Sequence, residues 1–154
     1  MNYLLKLQKK IHAYPLGETL FSKLVARKAP YFKTIKPQIE ELRHNYIRVS
    51  MKKRRSVENH LRTVHAIASC NLCEFAAGIC MEASIPKHRR WIPVEMKVQY
   101  LKKAETNVIA ECNLDHVDWA ATEAVDCEVS VLDLNKQEVV KAIITMKVSD
   151  KKKK

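Results

Sequence analysis

The stretch ENHLRTVHAIASCNLCEFAAG, residues 58–78, holds four candidate functional residues, Asn59, His65, Ala66 and Glu74. It starts polar and passes into an Ala- and Cys-rich apolar run with one carboxylate, Glu74, in its middle. An isolated carboxylate among small apolar side chains is costly to bury, so its presence points to use as a general base or a nucleophile. Upstream, Ala66 falls near the expected start of a helix, where free N–H groups and the positive dipole end face an incoming oxygen. Its small side chain leaves that backbone approachable. Asn59 offers another hydrogen bond to the same oxygen or to an attacking water. His65 suits ordering of the loop through a backbone hydrogen bond better than proton relay.

Such residues need a rigid frame. Val64 to Ala83 reads as a helix of about 20 residues, roughly 30 Å long, with Thr63 as N-cap and Pro86 closing it. It is apolar nearly all round, the mark of a helix buried on most sides. Four alternating stretches follow. In IPVEMKVQYL, Ile92, Val94, Met96, Val98 and Tyr100 share a face; in NVIAECNL, Val108, Ala110, Cys112 and Leu114 do. VDCEVSVLDL sets Val125, Cys127, Val129 and Val131 together, and EVVKAIITMKV sets Val140, Ala142, Ile144 and Met146 together, with DLNKQ as the hairpin turn between them. Ahead of the helix, residues 38–51 look extended, although Ile39, Leu42, Tyr46, Ile47 and Val49 alternate imperfectly.

Residues 1–28 carry two helical patterns, Leu4–Leu7–Ile11 and Leu20–Leu24–Val25, separated by Pro15 and Gly17 and ended by Pro30. One extended segment, one buried helix and four antiparallel-looking strands predict an α+β domain, its sheet curled around the single helix. No repeat or linker interrupts the chain. Residues 1–150 are therefore read as one domain, with a helical extension over 1–30, a core over 36–148 and a basic tail at 151–154.

Ala66 and Glu74 lie eight residues apart on one helix, roughly 12 Å along its axis at about 1.5 Å per residue. Both must come within about 3 Å of the reacting atoms, a gap that a Glu side chain does not span. A two-fold dimer with antiparallel helices closes it, by setting Glu74 of one subunit beside Ala66 of the other.

Composition narrows the partners. With 47% hydrophobic and 29% charged residues, and only 2 Gly and 5 Pro, the sequence has a globular balance. No unbroken apolar run reaches the length of a membrane span, and MNYLLKLQKK lacks the core and cleavage site of a signal peptide. A cytoplasmic location without a membrane span is the expectation. The five cysteines agree: CNLC has metal-like spacing but no matching second pair, so buried free thiols are expected and a metal is not. The net charge of +11 includes KKRR at 52–55 and KKKK at the end. Aromatic residues are not interleaved with the basic ones, which argues against nucleic acid and leaves an anionic small ligand or plain solvation.

The Asn59–His65–Ala66–Glu74 spacing, at the entrance of one buried helix with four strands behind it, resembles the hotdog-fold thioesterases. The PaaI-like branch of the phenylacetate pathway, with an uncharacterised relative of it, is the nearest pattern. In that family an Asn is followed six residues later by a His and a small residue, then by Asp or Glu nine residues after the His, spacings kept here. The motif spans 59–78 and the fold-level likeness about 36–148. The resemblance implies a homodimer, or a dimer of dimers, with composite interface sites that hydrolyse acyl-coenzyme A. Glu74, Asn59, Ala66 and His65 would be its catalytic set. No cofactor is implied, since coenzyme A enters as part of the substrate.

Under that resemblance, coenzyme A phosphates would meet Arg54, Arg55 and Arg62 beside the motif, and Lys87, Arg89 and Arg90 beyond the helix. The acyl group would lie along Ala77 and Gly78, with Met81, Trp91 and Met96 nearby. Two positions depart from the family. Ala66–Ile67 stands where Gly–Gly is usual, and a helping hydroxyl eighteen residues past the acid falls at Ile92, leaving Asn71 to take its place. The alternative is a non-catalytic hotdog dimer that binds an acyl-CoA or a fatty acid. A hotdog dehydratase or hydratase is disfavoured, because the Gly- and Pro-rich approach to its helix is missing.

Overall fold

The computed structural model describes residues 2–151, so the expected basic tail lies, beyond Lys151, outside the described residues. The described residues form helices α1 (Tyr3–His12), α2 (Gly17–Lys28) and α3 (Ala66–Ser84). The strands are β1 (Gln38–Arg43), β2 (Tyr46–Met51), β3 (Arg89–Tyr100), β4 (Val108–Asn113), β5 (Ala124–Asp133) and β6 (Glu138–Asp150). Single 3₁₀ turns occupy Pro30–Thr34 and Arg55–Val57. The architecture is α+β: one antiparallel sheet in the order β1–β2–β4–β5–β6–β3, folded around α3.

The period-two patterns become strands where expected. Val108, Ala110 and Cys112 of β4, Val125, Cys127, Val129 and Val131 of β5, and Val140, Ala142, Ile144 and Met146 of β6 all turn inward and are buried. Against them α3 sets Leu72, Phe75, Ala76, Ala77, Cys80 and Met81, each at most 1% exposed. The small residues of α3 matter here, because they let the curled sheet approach the helix axis closely. By length and composition α3 resembles a membrane span, yet most of it is buried inside this protein. It is the core helix.

Two irregularities explain where the simple pattern fails. The extended stretch at 38–51 is a hairpin, turning at His44–Asn45 with Asn45 in a left-handed conformation (φ 63°). A bulge between Ile39 and Glu41 breaks the period, so Ile39 and Leu42, three apart, both face the core. A second bulge between Pro93 and Glu95 reverses the faces of β3. Trp91 and Met96 therefore lie on the helix side, opposite Val148 and Ile144, while Ile92 pairs with Lys147 and is 60% exposed. The single apolar face read from Ile92 to Tyr100 is thus corrected, since the extra residue shifts the alternation by one.

The N-terminal helices pack as an extension over one end of this frame. Asn2 caps α1 by accepting from the Leu4 amide, and its Nδ2 donates to the Glu82 carbonyl of α3 at 2.6 Å. The corner into α2 is tight: a Cβ on Gly17 would fall 2.2 Å from the Ile11 carbonyl oxygen, so only glycine fits. Phe21, Val25 and Ala26 of α2 are buried, and the Ser22 hydroxyl accepts the Ile39 amide of edge strand β1 at 2.9 Å. One sheet edge is thereby covered. The other edge strand, β3, pairs only with β6 among the described residues.

Gly78 has a packing reason of its own. A Cβ there would stand 3.1 Å from the Trp91 ring, which lies across the helix. Gly78→Leu should lower stability by about 1–3 kcal/mol through overpacking. Gly78→Ala should cost much less, because alanine recovers roughly 1 kcal/mol of helix propensity. Urea unfolding midpoints compare the two, and equal midpoints for Leu and Gly would contradict this packing.

Candidate active site at the start of the central helix

The loop before α3 is built by Asn59. Its Oδ1 accepts from the Leu61 amide at 2.9 Å and the Thr63 amide at 3.1 Å, and its Nδ2 donates to the Thr63 hydroxyl at 2.9 Å. These bonds hold the turn that brings Arg62 into a left-handed conformation (φ 60°). Thr63 is therefore Asn59's partner and not the helix cap expected from its type. The helix starts two residues later than expected. His65 caps it, its Nδ1 accepting the Ile67 amide at 3.0 Å, while its own amide donates to the Val57 carbonyl at 2.8 Å. Because Nδ1 accepts, the ring's proton sits on Nε2, which is left as an outward donor.

That arrangement determines which amides stay open. Ile67 gives its N–H to His65 and Ser69 gives its N–H to the His65 carbonyl, whereas the Ala66 and Ala68 amides find no acceptor among the described residues. Two free donors at the positive end of a 19-residue helix make a place for an oxyanion. Beside them a small cavity of about 190 Å³ opens between His65, Ile67 and Asn71 of α3 and Tyr31, Thr34 and Val57 of the two 3₁₀ turns. Asn71 is only 6% exposed, donates to the Thr34 hydroxyl at 3.2 Å, and keeps its buried Oδ1 without a partner among the described residues.

Glu74 is exposed. The burial inferred from its apolar neighbours is corrected: Cys73 and Phe75 face the sheet, while Glu74 lies on the stripe with Ile67 (55% exposed) and half-buried Cys70, which the sheet of the same chain leaves open. Among the described residues its carboxylate makes no hydrogen bond or ion pair. Two turns of α3 separate it from the Ala66 amide, roughly 12 Å at about 1.5 Å per residue. One chain thus holds both halves of the constellation without joining them.

A family model described as a domain of unknown function, DUF4442, matches residues 17–148. The chain belongs to that family. No curated protein matches the sequence. A genomics crystal structure, APC5556, is 40% identical, with a TM-score of 0.86 over 97% of this chain and 99% of that one. A probable thioesterase of Pseudomonas aeruginosa, PA5026, is 20% identical, with a TM-score of 0.78 over 90% of this chain and 97% of its own. A thioesterase family protein from Silicibacter pomeroyi is 13% identical, with a TM-score of 0.72 over 84% and 96%. This DUF4442 chain has the hotdog fold that its motif and strand order led one to expect.

The basic residues expected to meet phosphates in the DUF4442 chain fall into two groups at opposite ends of α3. Arg55 and Arg62 line an open depression of about 490 Å³ with Glu58, Asn59 and His60. Lys87, Arg89 and Arg90 border another of about 520 Å³ with Glu82, Trp91 and Lys151. The 19 residues of α3 separate them, roughly 28 Å at about 1.5 Å per residue. Arg54 and Arg89 are engaged internally: Arg54 donates to the Thr34 carbonyl at 2.6 Å, and Arg89, with an 11% exposed side chain, donates to the Trp119 carbonyl at 3.0 Å. Ala77 and Met81 are buried against the sheet, and Gly78 lies under Trp91.

Residues unmarked by any motif complete the setting. Tyr31, Thr34 and Ile35 come from the N-terminal extension, tied to the site by Arg54 and Asn71. Only Pro30 and Pro37, which stop α2 and delay β1, hint that this segment turns back. On the open stripe, the Cys70 thiol and the Tyr100 hydroxyl of β3 lie 3.1 Å apart. The bond to Cys70, then burial, pushes Tyr100 up to about 12, while burial pushes Cys73 up to about 12 and keeps it an inert thiol.

Folded Tyr100 therefore holds its proton above pH 10, where an unfolded tyrosine releases it, so this contribution to stability is complete below about pH 10 and fades as pH rises toward about 12. Ultraviolet titration of tyrosinate should show a late-ionising tyrosine that Cys70→Ala moves to lower pH. An unchanged curve would contradict the pairing.

Proposed function

We propose that this protein is an acyl-CoA thioesterase that works as a homodimer, with α3 helices antiparallel and two composite sites. The observation that carries the reading is the division of labour along α3: open Ala66 and Ala68 amides at one end and an unpaired Glu74 two turns away, on a stripe beside the uncovered edge of β3. A partner helix running the other way sets Glu74 of one subunit opposite the Ala66 amide of its neighbour. It also brings the basic group beyond one α3 toward the Arg55–Arg62 group of the other, so that one ligand's phosphates meet both. The fold held in common with the Pseudomonas aeruginosa probable thioesterase supports the reaction class.

In this reading the thioester oxygen rests on the Ala66 amide, with the Ala68 amide beside it. Glu74 takes a proton from water as the water oxygen bonds to the carbonyl carbon. The tetrahedral intermediate collapses, the C–S bond breaks, and the proton held by Glu74 passes to the departing thiolate, leaving a carboxylic acid and coenzyme A. Direct attack by Glu74 through an anhydride that water then opens uses the same placement. Asn59 holds the loop that aims the helix start, and its second Nδ2 proton faces no acceptor among the described residues. A non-catalytic acyl-CoA or fatty-acid binder is favoured by one feature only: the exposed Ile67 side chain, where the hotdog thioesterases that the motif resembles usually carry glycine.

Thiol release from a panel of acyl-CoAs tests this. Glu74→Gln should lower kcat by about 10²–10⁴-fold with the fold intact, and Asn59→Ala should lower it less. Binding without turnover in every form would transfer the protein to the binder reading. Sedimentation velocity should give a dimer for the parent chain. A fully active monomer would refute the composite site.

A further inference from the structure

The N-terminal 36 residues contain eight lysine and arginine side chains against one carboxylate, Glu18, and so carry seven of the eleven net positive charges. All eight are exposed, and none pairs with a carboxylate among the described residues. Among them stands an apolar ridge. Leu16, Leu20 and Leu24 recur every four residues at the start and along the outer face of α2, and are 82%, 52% and 40% exposed. Tyr14 (65%) precedes the ridge and Tyr31 (67%) follows it, with Lys23, Arg27 and Lys28 interspersed. The core does not require these leucines, because α2 buries its opposite face through Phe21, Val25 and Ala26.

Leu16 makes the point sharply. It occupies the N-cap of α2 in a left-handed conformation (φ 61°, ψ 17°), with no side-chain cap bond. Asn or Asp would serve that position better on both counts. A leucine there is unfavourable locally and contributes nothing to the interior, yet it is the most exposed apolar side chain of the ridge.

We infer that this face docks on the surface of an anionic phospholipid bilayer. The leucines and Tyr14 would enter the zone between headgroups and acyl chains, while the surrounding lysines and arginines meet lipid phosphates. Charge complementarity selects this occupant. A nucleic acid would satisfy the cations but leave the leucine ridge in water, whereas a bilayer interface takes both at once. The association is peripheral, since α3 is committed to the core. It does not depend on the thioesterase reading.

The experiment is co-sedimentation of the full chain with phosphatidylcholine vesicles, with and without phosphatidylglycerol. Binding should appear with phosphatidylglycerol, be at least about ten-fold weaker without it, and weaken as salt rises. Leu16→Ser/Leu20→Ser/Leu24→Ser and Lys23→Glu/Arg27→Glu should each reduce it by about ten-fold or more, with circular dichroism and thermal midpoint retained. Equal binding to neutral vesicles, no binding at all, or unaltered binding by the leucine variant would overturn the inference. So would a change of oligomeric state in that variant without vesicles, which would make the ridge a contact between copies of the chain.

Discussion

The rest of the structure depends on how completely one sheet can wrap one helix. Six strands curl far enough to bury Leu72, Phe75, Ala76, Ala77, Cys80 and Met81, but one stripe of α3 stays outside the curl. Burying the apolar majority yields most of the hydrophobic stabilisation. The remaining stripe is then free to carry Glu74 without the desolvation cost that a carboxylate in the core would incur. The same geometry leaves β3 with one unpaired edge, immediately beside that stripe. Long uncovered edges attract a further strand. The proposed composite site therefore places chemistry and association on one surface.

The start of α3 is held from three directions. Asn59 tightens the loop behind it, His65 caps one amide, and Arg54 and Asn71 bind the 3₁₀ turn that closes over the front. Each fastening consumes polar groups, and what stays unconsumed among the described residues marks the candidate site: the Ala66 and Ala68 amides, Nε2 of His65 and the buried Oδ1 of Asn71. An unpartnered buried acceptor is costly unless a ligand or water satisfies it. The N-terminal extension is accordingly part of the site's wall as well as a cover for edge strand β1.

The strands and the long helix were legible because their signals are periodic and local. β4 and β5 alternate throughout and β6 does so from Val140 onward, and a run as apolar as 66–84 has few places to go but the interior. Bulges defeat that logic. One extra residue near Pro93 reverses Ile92 and Val94 relative to Met96, and one near Glu40 makes Ile39 and Leu42 face alike. Pro93 is a local sign of the first, because strands confine proline to edges and bulges, whereas the residue types around Glu40 are ordinary.

By itself, the sequence determined the α+β class, the central helix within two residues at either end, the four strands that follow it, and the spacing that sets Asn59 and His65 before the helix and Glu74 within it. Those follow from periodicity and chain distance, which folding does not alter. Only the tertiary structure decided that Glu74 faces outward, that Thr63 serves Asn59 and not the helix, that Arg54 and Arg89 are held internally, and that Trp91 closes over Gly78. Each of those outcomes depends on partners distant in sequence or on the exact curl of the sheet. A side chain's neighbours are fixed by that curl, and residue type alone does not encode it.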